Sequence, residues 1–239
     1  MNPAILYSVD GGIATIALNR PEVRNALNLE MCEALLAVSK EIFSSKDIRA
    51  VFVRGNGPVF CGGADLKERT GMTGEWIRAR RMKAFAAYEA LESLPMPCVA
   101  LVHGAAIGSG VEIAAACDFI VATAEASFST PEAQRGTVGA TQRLPRILGK
   151  RLAKDLMFTG RALTAEEARN AGFVSRIVED LEKEKGIISN SIRNATPLAL
   201  RLAKRTIDRG IELDPAGARE AEIQAIEEQL ASGSYLGKT

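Results

Sequence analysis

The chain has 239 residues, of which 47% are hydrophobic and 25% are charged, and its 30 Lys and Arg against 29 Asp and Glu give a formal net charge of +1. This length and composition are typical of one globular domain with room for a helical appendage. The near-neutral charge argues against a general attraction to nucleic acid or membrane surfaces, and no run approaches the roughly 20 apolar residues of a membrane-spanning helix.

The first elements are predicted to be a β-hairpin followed by a helix. Residues 5–9 and 13–18 have the apolar, β-branched content of strands, and Asp10-Gly11-Gly12 between them is a hairpin signal. Residues 29–43 place apolar side chains at helical spacing, which predicts a helix with one face on the core.

A strand and a pair of glycines are predicted next. Residues 48–54 are β-branched and aromatic, a polar turn follows at 55–58, and Gly62-Gly63 then precedes Ala64. Consecutive glycines permit unusual dihedral angles and let a ligand approach the backbone. Because neither a Gly-Lys-Ser/Thr sequence nor a G-x-G-x-x-G pattern is present, the segment does not favour nucleotide hydrolysis or nicotinamide chemistry.

A second glycine-rich segment carries a carboxylate. After a helix predicted over 76–94, residues 98–102 have the apolar run of a buried strand. Residues 107–117 begin with glycines and continue with alanines, which predicts a tight turn that leads into a helix. The first N–H groups of such a helix lack internal partners, and they can bind an oxyanion or a phosphate.

Glu112 lies in the first turn of that predicted helix, within an otherwise apolar run, and Pro131-Glu132 places a second carboxylate in a similar setting. Burying an unpaired carboxylate costs several kcal/mol, and a sheltered carboxyl group suits a general acid or base that works near neutral pH. The alternative for Glu112 is a first-turn glutamate that the helix dipole favours. The residues alone leave both interpretations open.

The remaining elements are a strand at 119–122, alternating strands and helices to about residue 178, and three helices at 183–192, 197–209 and 215–230. Strands that alternate with helices predict parallel pairing in a layered α/β domain.

Five segments resemble one known family. Residues 60–68 (FCGGADLKE) and 103–113 (HGAAIGSGVEI) resemble the two signature segments of the enoyl-CoA hydratase/isomerase (crotonase) superfamily. Residues 18–28 are similar to its N-terminal CoA-binding loop, 128–132 to the segment with its second carboxylate, and 141–172 to the helices that follow. The resemblance runs from about Ile13 to Val178. It implies a spiral of ββα units over residues 1–196 and a helical trimerisation region over 197–239.

The resemblance also implies roles for individual residues. The backbone N–H groups of Ala64 and Ser109 would form an oxyanion hole around the thioester oxygen, and Glu112 and Glu132 would flank the α and β carbons of the acyl group. One carboxylate would activate water, and the other, Glu132, would deliver a proton to the α carbon. The residues that would line the CoA path are Arg24, Ala26, Gly62, Ala64, Asp65, Leu66, Lys67 and Ser109. No metal and no cofactor are expected, since CoA is part of the substrate.

Glutamate at both matching positions favours an enoyl-CoA hydratase, a lyase of fatty-acid or branched-chain amino-acid degradation. Residues 64–69 also resemble the branch that contains methylglutaconyl-CoA hydratase. An enoyl-CoA isomerase and an RNA-binding homologue are the alternatives. The expected partners are an acyl-CoA substrate and further copies of the chain in a trimer or hexamer, without membrane or nucleic acid. The expected location is the bacterial cytoplasm, or the mitochondrial matrix after removal of a transit peptide.

Other conspicuous residues receive plainer interpretations. Arg78, Arg80, Arg81 and Lys83 are predicted to form a solvated helix face, with a contact to CoA phosphate or RNA as the alternative. The lone His103 and the four cysteines, which form no C-x-x-C pair, are predicted to be structural. Residues 70–74 are predicted to form a lid over the acyl pocket, with Met72 and Trp76 nearby. The loop at Val138-Gly139-Ala140 is about three residues shorter than in relatives, which implies an altered acyl-pocket wall.

Overall fold

The structure is a computed structural model, and it describes residues 3–233. The described residues form two β-sheets. A six-stranded sheet has the order β1-β2-β3-β4-β6-β9, and a smaller sheet has the order β5-β7-β8. The strands are β1 (Ile5–Asp10), β2 (Ile13–Leu18), β3 (Ala50–Gly55), β4 (Cys98–Val102), β5 (Ala105–Ile107), β6 (Phe119–Ala122), β7 (Ser127–Ser129), β8 (Ala162–Thr164) and β9 (Arg176–Ile177).

The predicted hairpin is the antiparallel pair β1–β2, and every other pair of neighbours in the large sheet is parallel. The helices are α1 (Leu29–Ser44), α2 (Gly74–Glu92), α3 (Ser109–Ala115), α4 (Arg143–Thr159), α5 (Ala165–Asn170), α6 (Leu181–Arg193), α7 (Pro197–Gly210) and α8 (Pro215–Ala231). The helices predicted near 29–43, 76–94, 183–192, 197–209 and 215–230 therefore exist with small shifts at their ends. The Asn28 side chain caps α1 by accepting from the N–H of Met31.

The central strands of the large sheet are buried on both faces. In β3, Val51 and Val53 pack into one apolar cluster, whereas Phe52 between them packs into a second cluster with Ile188 and Ile192 of α6. This alternation is the period of two that a strand imposes on its side chains. Because helices cover both faces, the parallel strands form a fixed platform for the loops that follow their carboxyl ends.

The structure corrects the layout predicted around the second glycine segment. The turn at Gly104 leads first into the short strand β5, which pairs with β7, and α3 begins only at Ser109. The helix also ends at Ala115, earlier than predicted. After the helix, the side chain of Asp118 accepts a 2.7 Å hydrogen bond from the N–H of Cys98 at the start of β4, and β6 begins at the next residue.

The first glycine segment does not have the same layout as the second. Ala64 forms a parallel bridge with Leu27, which holds the chain extended, and only a short 3-10 helix follows at Lys67–Arg69. The next long helix, α2, begins ten residues after Ala64, at Gly74.

The C-terminal helices α7 and α8 pack mainly against each other. Leu202 is the buried residue of α7, and α8 buries only Ala221 and Ala225. Large apolar side chains on this region remain exposed: Ile207, Ile211, Leu213, Ile223, Ile226 and Leu230, with Ile211 at 76% exposure. A domain division after residue 196 stays an interpretation, and residues 1–2 and 234–239 of those predicted ranges lie outside the described part. None of the helices described is long and apolar enough to span a bilayer.

Candidate active site

Three loops meet beside the carboxyl ends of the central strands. Ala64 bridges to Leu27, and Cys61 bridges to Ala106 of β5, so the two glycine segments are held side by side. Gly63 has φ +99°, and a Cβ on it would lie 3.0 Å from the carbonyl oxygen of Ile107. Only glycine therefore allows this approach of the two loops.

The N–H groups of Ala64 and Ser109 are both available to a ligand. In the Leu27–Ala64 bridge, the bonds are made by the flanking residues: Leu27 donates to the carbonyl of Gly63 at 2.7 Å, and Asp65 donates to the carbonyl of Leu27 at 2.9 Å. The N–H of Ala64 therefore lies on the other side. Ser109 is the first residue of α3, where the helix supplies no acceptor. Both residues line one cavity.

Glu112 enters this cavity from α3 and is only 7% exposed. Its Oε2 lies 3.1 Å from a guanidinium nitrogen of Arg143, whose other terminal nitrogen lies 2.6 Å from Oε2 of Glu92. The same guanidinium stands 5.9 Å from the ring centre of Tyr88. Tyr88 is buried, and burial raises the pKa of its hydroxyl, an effect that the nearby Ser109 side chain partly offsets.

Glu132 lines the same cavity, but it lies in a loop and not on an α-helix. It follows β7 and directly precedes a short 3-10 helix at Ala133–Arg135. Its Oε2 is buried and has no hydrogen-bond partner among residues 3–233. Desolvation by burial raises the pKa of this carboxyl, and the charge of Glu112 raises it further.

Two glycines make room for the Glu132 carboxyl group. A Cβ on Gly108, which has φ +50°, would lie 2.5 Å from Oε1 of Glu132, and a Cβ on Gly139 would lie 3.1 Å from its Cγ. The short loop at 138–140 therefore packs directly on a predicted catalytic group. That role for Gly139 was not predicted from the sequence.

The cavity between the two carboxylates has a volume of about 70 Å³. A second cavity of about 1060 Å³ lies between the end of α2, α4 and α7. Five residues line both: Phe85, Glu112, Val138, Gly139 and Ala140. Glu112 and the short loop at 138–140 therefore separate the cavity of about 70 Å³ from the cavity of about 1060 Å³.

The basic cluster of α2 is only partly the solvated face that the sequence predicted: Arg78 is exposed and Lys83 is 41% exposed, but Arg80 and Arg81 are engaged. Arg80 is 2% exposed, lies 2.6 Å from Oε1 of Glu68 and donates to the carbonyl of Leu27. Arg81 donates to Oγ1 of Thr137 at 3.1 Å and to the carbonyl of Val138. Arg80 therefore holds the segment that follows Ala64, and Arg81 holds the short loop at 138–140.

Of the residues predicted to line the CoA path, Ala64, Leu66 and Ser109 line the cavity, whereas Arg24, Ala26, Gly62, Asp65 and Lys67 do not and lie on the Arg24–Ala26 turn and the loop at 62–67. Arg24 has φ +57° and its carbonyl accepts from Gly62 at 2.7 Å. Asp65 pairs with Arg20 at 3.0 Å, which also donates to the carbonyl of Ala26. Leu66 lines the cavity, and the Lys67 side chain is exposed.

Several conspicuous residues lie away from the cavity wall. Neither Met72 nor Trp76 lines it, so the predicted lid at 70–74 does not cover it in this conformation. His103 contacts the carbonyl of Gly57 through Nε2 at 2.7 Å, a structural contact between loops. The four cysteines are free and buried. Burial raises the pKa of Cys61 to about 12, and its sulfur lies 3.1 Å from the carbonyl oxygen of Asn25.

Sequence reasoning missed Arg143 and Tyr88 as neighbours of the predicted catalytic groups. A buried glutamate requires a partner, so a search for an arginine was justified. The pairing itself joins residues 31 positions apart, and no local pattern specifies it.

Residues 8–235 match the family model described as enoyl-CoA hydratase/isomerase. A putative enoyl-CoA hydratase/isomerase of Bacillus subtilis is 36% identical over 237 residues, which cover 96% of this chain and 91% of that protein. The crystal structure of an enoyl-CoA hydratase from Bacillus anthracis has a TM-score of 0.90 and 36% identity, covering 94% of this chain and 90% of that one. A putative enoyl-CoA hydratase of Thermobifida fusca, solved in complex with acetoacetyl-CoA, has a TM-score of 0.87, 26% identity and 96% coverage of both chains. The predicted fold class, a crotonase-like α/β architecture with a helical C-terminal region, is confirmed.

Proposed function

Because the chain belongs to the enoyl-CoA hydratase/isomerase family, we propose that it adds water reversibly to a 2-enoyl-CoA thioester and forms a 3-hydroxyacyl-CoA. One observation carries the proposal. Two N–H groups without a hydrogen-bond partner among residues 3–233, at Ala64 and Ser109, and two carboxylates in unlike environments line the same cavity. This combination can stabilise an enolate oxygen and transfer protons.

In the proposed reaction, the thioester oxygen accepts hydrogen bonds from Ala64 and Ser109, which draws electron density away from the β carbon. Glu112, paired with Arg143, accepts a proton from water as the water oxygen bonds to the β carbon. The double bond's electron pair shifts through the α carbon to the thioester oxygen. Glu132, whose pKa burial raises, delivers its proton to the α carbon, and proton exchange between the carboxylates and solvent restores the site.

The experiment is an assay of purified protein with crotonyl-CoA. Hydration removes the conjugated double bond, so the ultraviolet absorbance of the enoyl thioester falls as 3-hydroxybutyryl-CoA forms. A panel of longer enoyl-CoA thioesters and methylglutaconyl-CoA tests whether the acyl group comes from fatty-acid or branched-chain amino-acid degradation. Protein that hydrates none of these substrates would contradict the proposal.

An enoyl-CoA isomerase is the second candidate, and one observation favours it. Arg143 engages Oε2 of Glu112, which leaves Glu132 as the carboxylate with an unpartnered oxygen among the residues described. Moving a double bond between adjacent positions needs one group that removes and returns a proton. A 3-enoyl-CoA substrate separates the two candidates, because an isomerase converts it to the conjugated 2-enoyl thioester and the absorbance rises.

The C-terminal helices support a proposed assembly into a trimer or a pair of trimers. Ile207, Ile211 and Ile226 are more than half exposed, and apolar patches of this kind mark interfaces. Truncation after Thr196 should therefore give smaller or aggregated species with weaker CoA binding. A fully active particle of the 25.5 kDa chain mass in light scattering of the intact protein would contradict the proposed assembly.

A further inference from the structure

Arg143 is the residue that joins both halves of the proposed catalytic machinery. It is the first residue of α4, directly after the short loop, and its side chain is 17% exposed. One terminal nitrogen lies 3.1 Å from Glu112 and the other lies 2.6 Å from Glu92. Its guanidinium also lies 5.9 Å from the ring centre of Tyr88, which lines the small cavity together with Ser109.

This arrangement is not explained by stability. A partly buried ion pair gains little net free energy, because desolvation offsets most of the attraction. The planar fork of an arginine is instead suited to fixing the direction of a carboxylate. Here one terminal nitrogen of the guanidinium contacts Glu112 on α3 and the other contacts Glu92 on α2. The contact with Oε2 restricts rotation of the Glu112 carboxylate, and Oε1 forms no salt bridge among residues 3–233.

The other charged groups around Glu112 already have partners or lie further away. Glu132 and Tyr88 face it across the small cavity, which is also lined by four arginines: Arg69, Arg80, Arg81 and Arg135. The second cavity adds Glu89, Glu92, Asp118, Arg146, Lys204, Asp208 and Glu212. Of these cations, Arg80 pairs with Glu68, Arg146 with Glu212 and Lys204 with Asp118. Within residues 3–233, only Arg143 forms a salt bridge with Glu112.

We propose that Arg143 is a positioning residue that fixes the direction of the Glu112 carboxylate, so that Oε2 is held in the ion pair and Oε1 stays free to accept a proton from water. The inference rests on the proposed hydratase function. A general base acts only when its accepting oxygen lies within hydrogen-bond reach of the proton that it removes, so the direction of the carboxylate is part of its function.

The test compares Arg143→Met and Arg143→Lys with the parent protein, using kcat and KM for crotonyl-CoA. Arg143→Met should lower kcat roughly 10- to 100-fold with little change in KM, because it disturbs the base and not the binding of the substrate. Arg143→Lys keeps the charge but lacks the planar fork, so it should recover only part of the lost kcat.

Arg146→Met is the matched control, since Arg146 lies one helical turn further along α4, is exposed and pairs with Glu212 at 3.7 Å. It should leave kcat and KM unchanged. A parent-like kcat in Arg143→Met would overturn the proposal. If Arg143→Met does not fold, Arg143→Lys decides, because a parent-like kcat without the planar fork would also overturn it. A fall in kcat that is matched by an equal loss of folded protein would overturn it too, because that indicates a structural role alone.

A second measurement separates this inference from the proposed function. Crystal structures of the parent and of Arg143→Met, both without substrate, should show one orientation of the Glu112 carboxylate in the parent and a turned or disordered carboxylate in the variant. An unchanged Glu112 orientation in Arg143→Met overturns the proposal. If the parent protein hydrates no enoyl-CoA, the proposed function fails, and this comparison still decides whether Arg143 positions Glu112.

Discussion

The two predicted catalytic carboxylates line one cavity, but one lies on an α-helix and the other lies in a loop. The helix side, residues 108–115, carries Glu112 on α3 and gives it a cation 3.1 Å away. The loop side, residues 130–140, carries Glu132 between β7 and α4 and leaves its Oε2 without a partner among the described residues. The two glutamates therefore have the same side chain in different electrostatic surroundings. Such a difference allows one carboxyl group of a pair to act as a base and the other as an acid.

The two sides also differ in how their conformation is maintained. The helix side is fixed by backbone bonds, such as the 3.0 Å bond from the N–H of Glu112 to the carbonyl of Gly108. The loop side depends on side chains from elsewhere, because Arg81 holds Thr137 and Val138. The positive φ of Ala140, +55°, adds strain to that loop. Changes on the loop side should therefore disturb geometry more readily than changes on the helix side.

The largest expected effect comes from removing either charge. Glu112→Gln and Glu132→Gln should each lower the turnover of crotonyl-CoA by roughly 10²–10⁴, the range for loss of a general acid or base. CoA binding, measured by calorimetry, should persist in both. Glu125→Gln, at an exposed position, controls for the substitution itself. Full hydratase activity in Glu112→Gln would remove the helix side from the mechanism and favour the isomerase.

A smaller effect is expected from Gly108→Ala, which adds a methyl group on the helix side where it contacts Glu132 of the loop side. The added Cβ would lie 2.5 Å from Oε1 of Glu132, and displacing a catalytic group by about 1 Å can cost roughly 10² in rate. Gly172→Ala is the matched control, because Gly172 has φ +79° and nothing within 4 Å of a Cβ. Both variants should lose about 1–2 kcal/mol of stability from the positive φ, but only Gly108→Ala should lose turnover per folded molecule. Equal turnover in the two would show that Glu132 can move without penalty.

The pH dependence of the free energy of unfolding tests whether the Glu132 carboxyl group on the loop side is buried. Burial raises the pKa of Glu132, so the folded chain binds this proton more tightly than the unfolded chain does. As pH rises from the ordinary carboxyl range through the raised folded pKa, the unfolded chain ionises first and the free energy of unfolding falls. Glu132→Gln lacks this proton, so its stability relative to the parent should increase across that window. Urea unfolding of both proteins at a series of pH values measures the difference, and a difference that is constant with pH would contradict the buried environment of Glu132.

The smallest effect is expected from Ser109→Gly on the helix side. If the donor is the backbone N–H, loss of the hydroxyl should change turnover by only about twofold, whereas loss of an oxyanion donor typically costs on the order of 10²–10³. Steady-state kinetics with crotonyl-CoA distinguish the two cases. A thousand-fold defect would mean that the hydroxyl, through Tyr88 or directly, acts on the substrate.

The sequence predicted the helix side of the site better than the loop side. A strand, glycines and an alanine-rich run are local signals, and they placed Ser109 and Glu112 at the start of a helix. The strand β5 was missed because its three residues pair with β7 across the second sheet. Glu132 was identified by resemblance, but its contacts with Gly108 and Gly139 depend on how two loops pack.

The arginines show where local reasoning fails. Arg80 and Arg81 lie in a run of charge that is typical of a solvated helix face, yet Arg80 binds Glu68 and Arg81 binds the loop 56 positions away. Arg143 pairs with residues 31 and 51 positions away. Which charged side chains meet is decided by the packing of whole helices, and single-sequence periodicity carries no information on it.

The burial of Cys61 has a consequence for the chemical stability of the protein. A 2-enoyl thioester, the proposed substrate, is an electrophile that alkylates thiolates at its β carbon. Cys61 is three residues from the proposed oxyanion donor at Ala64, but it has no solvent exposure, and burial raises its pKa to about 12. Only the thiolate is nucleophilic. The protein can therefore keep a cysteine beside a reactive unsaturated substrate without being inactivated by it.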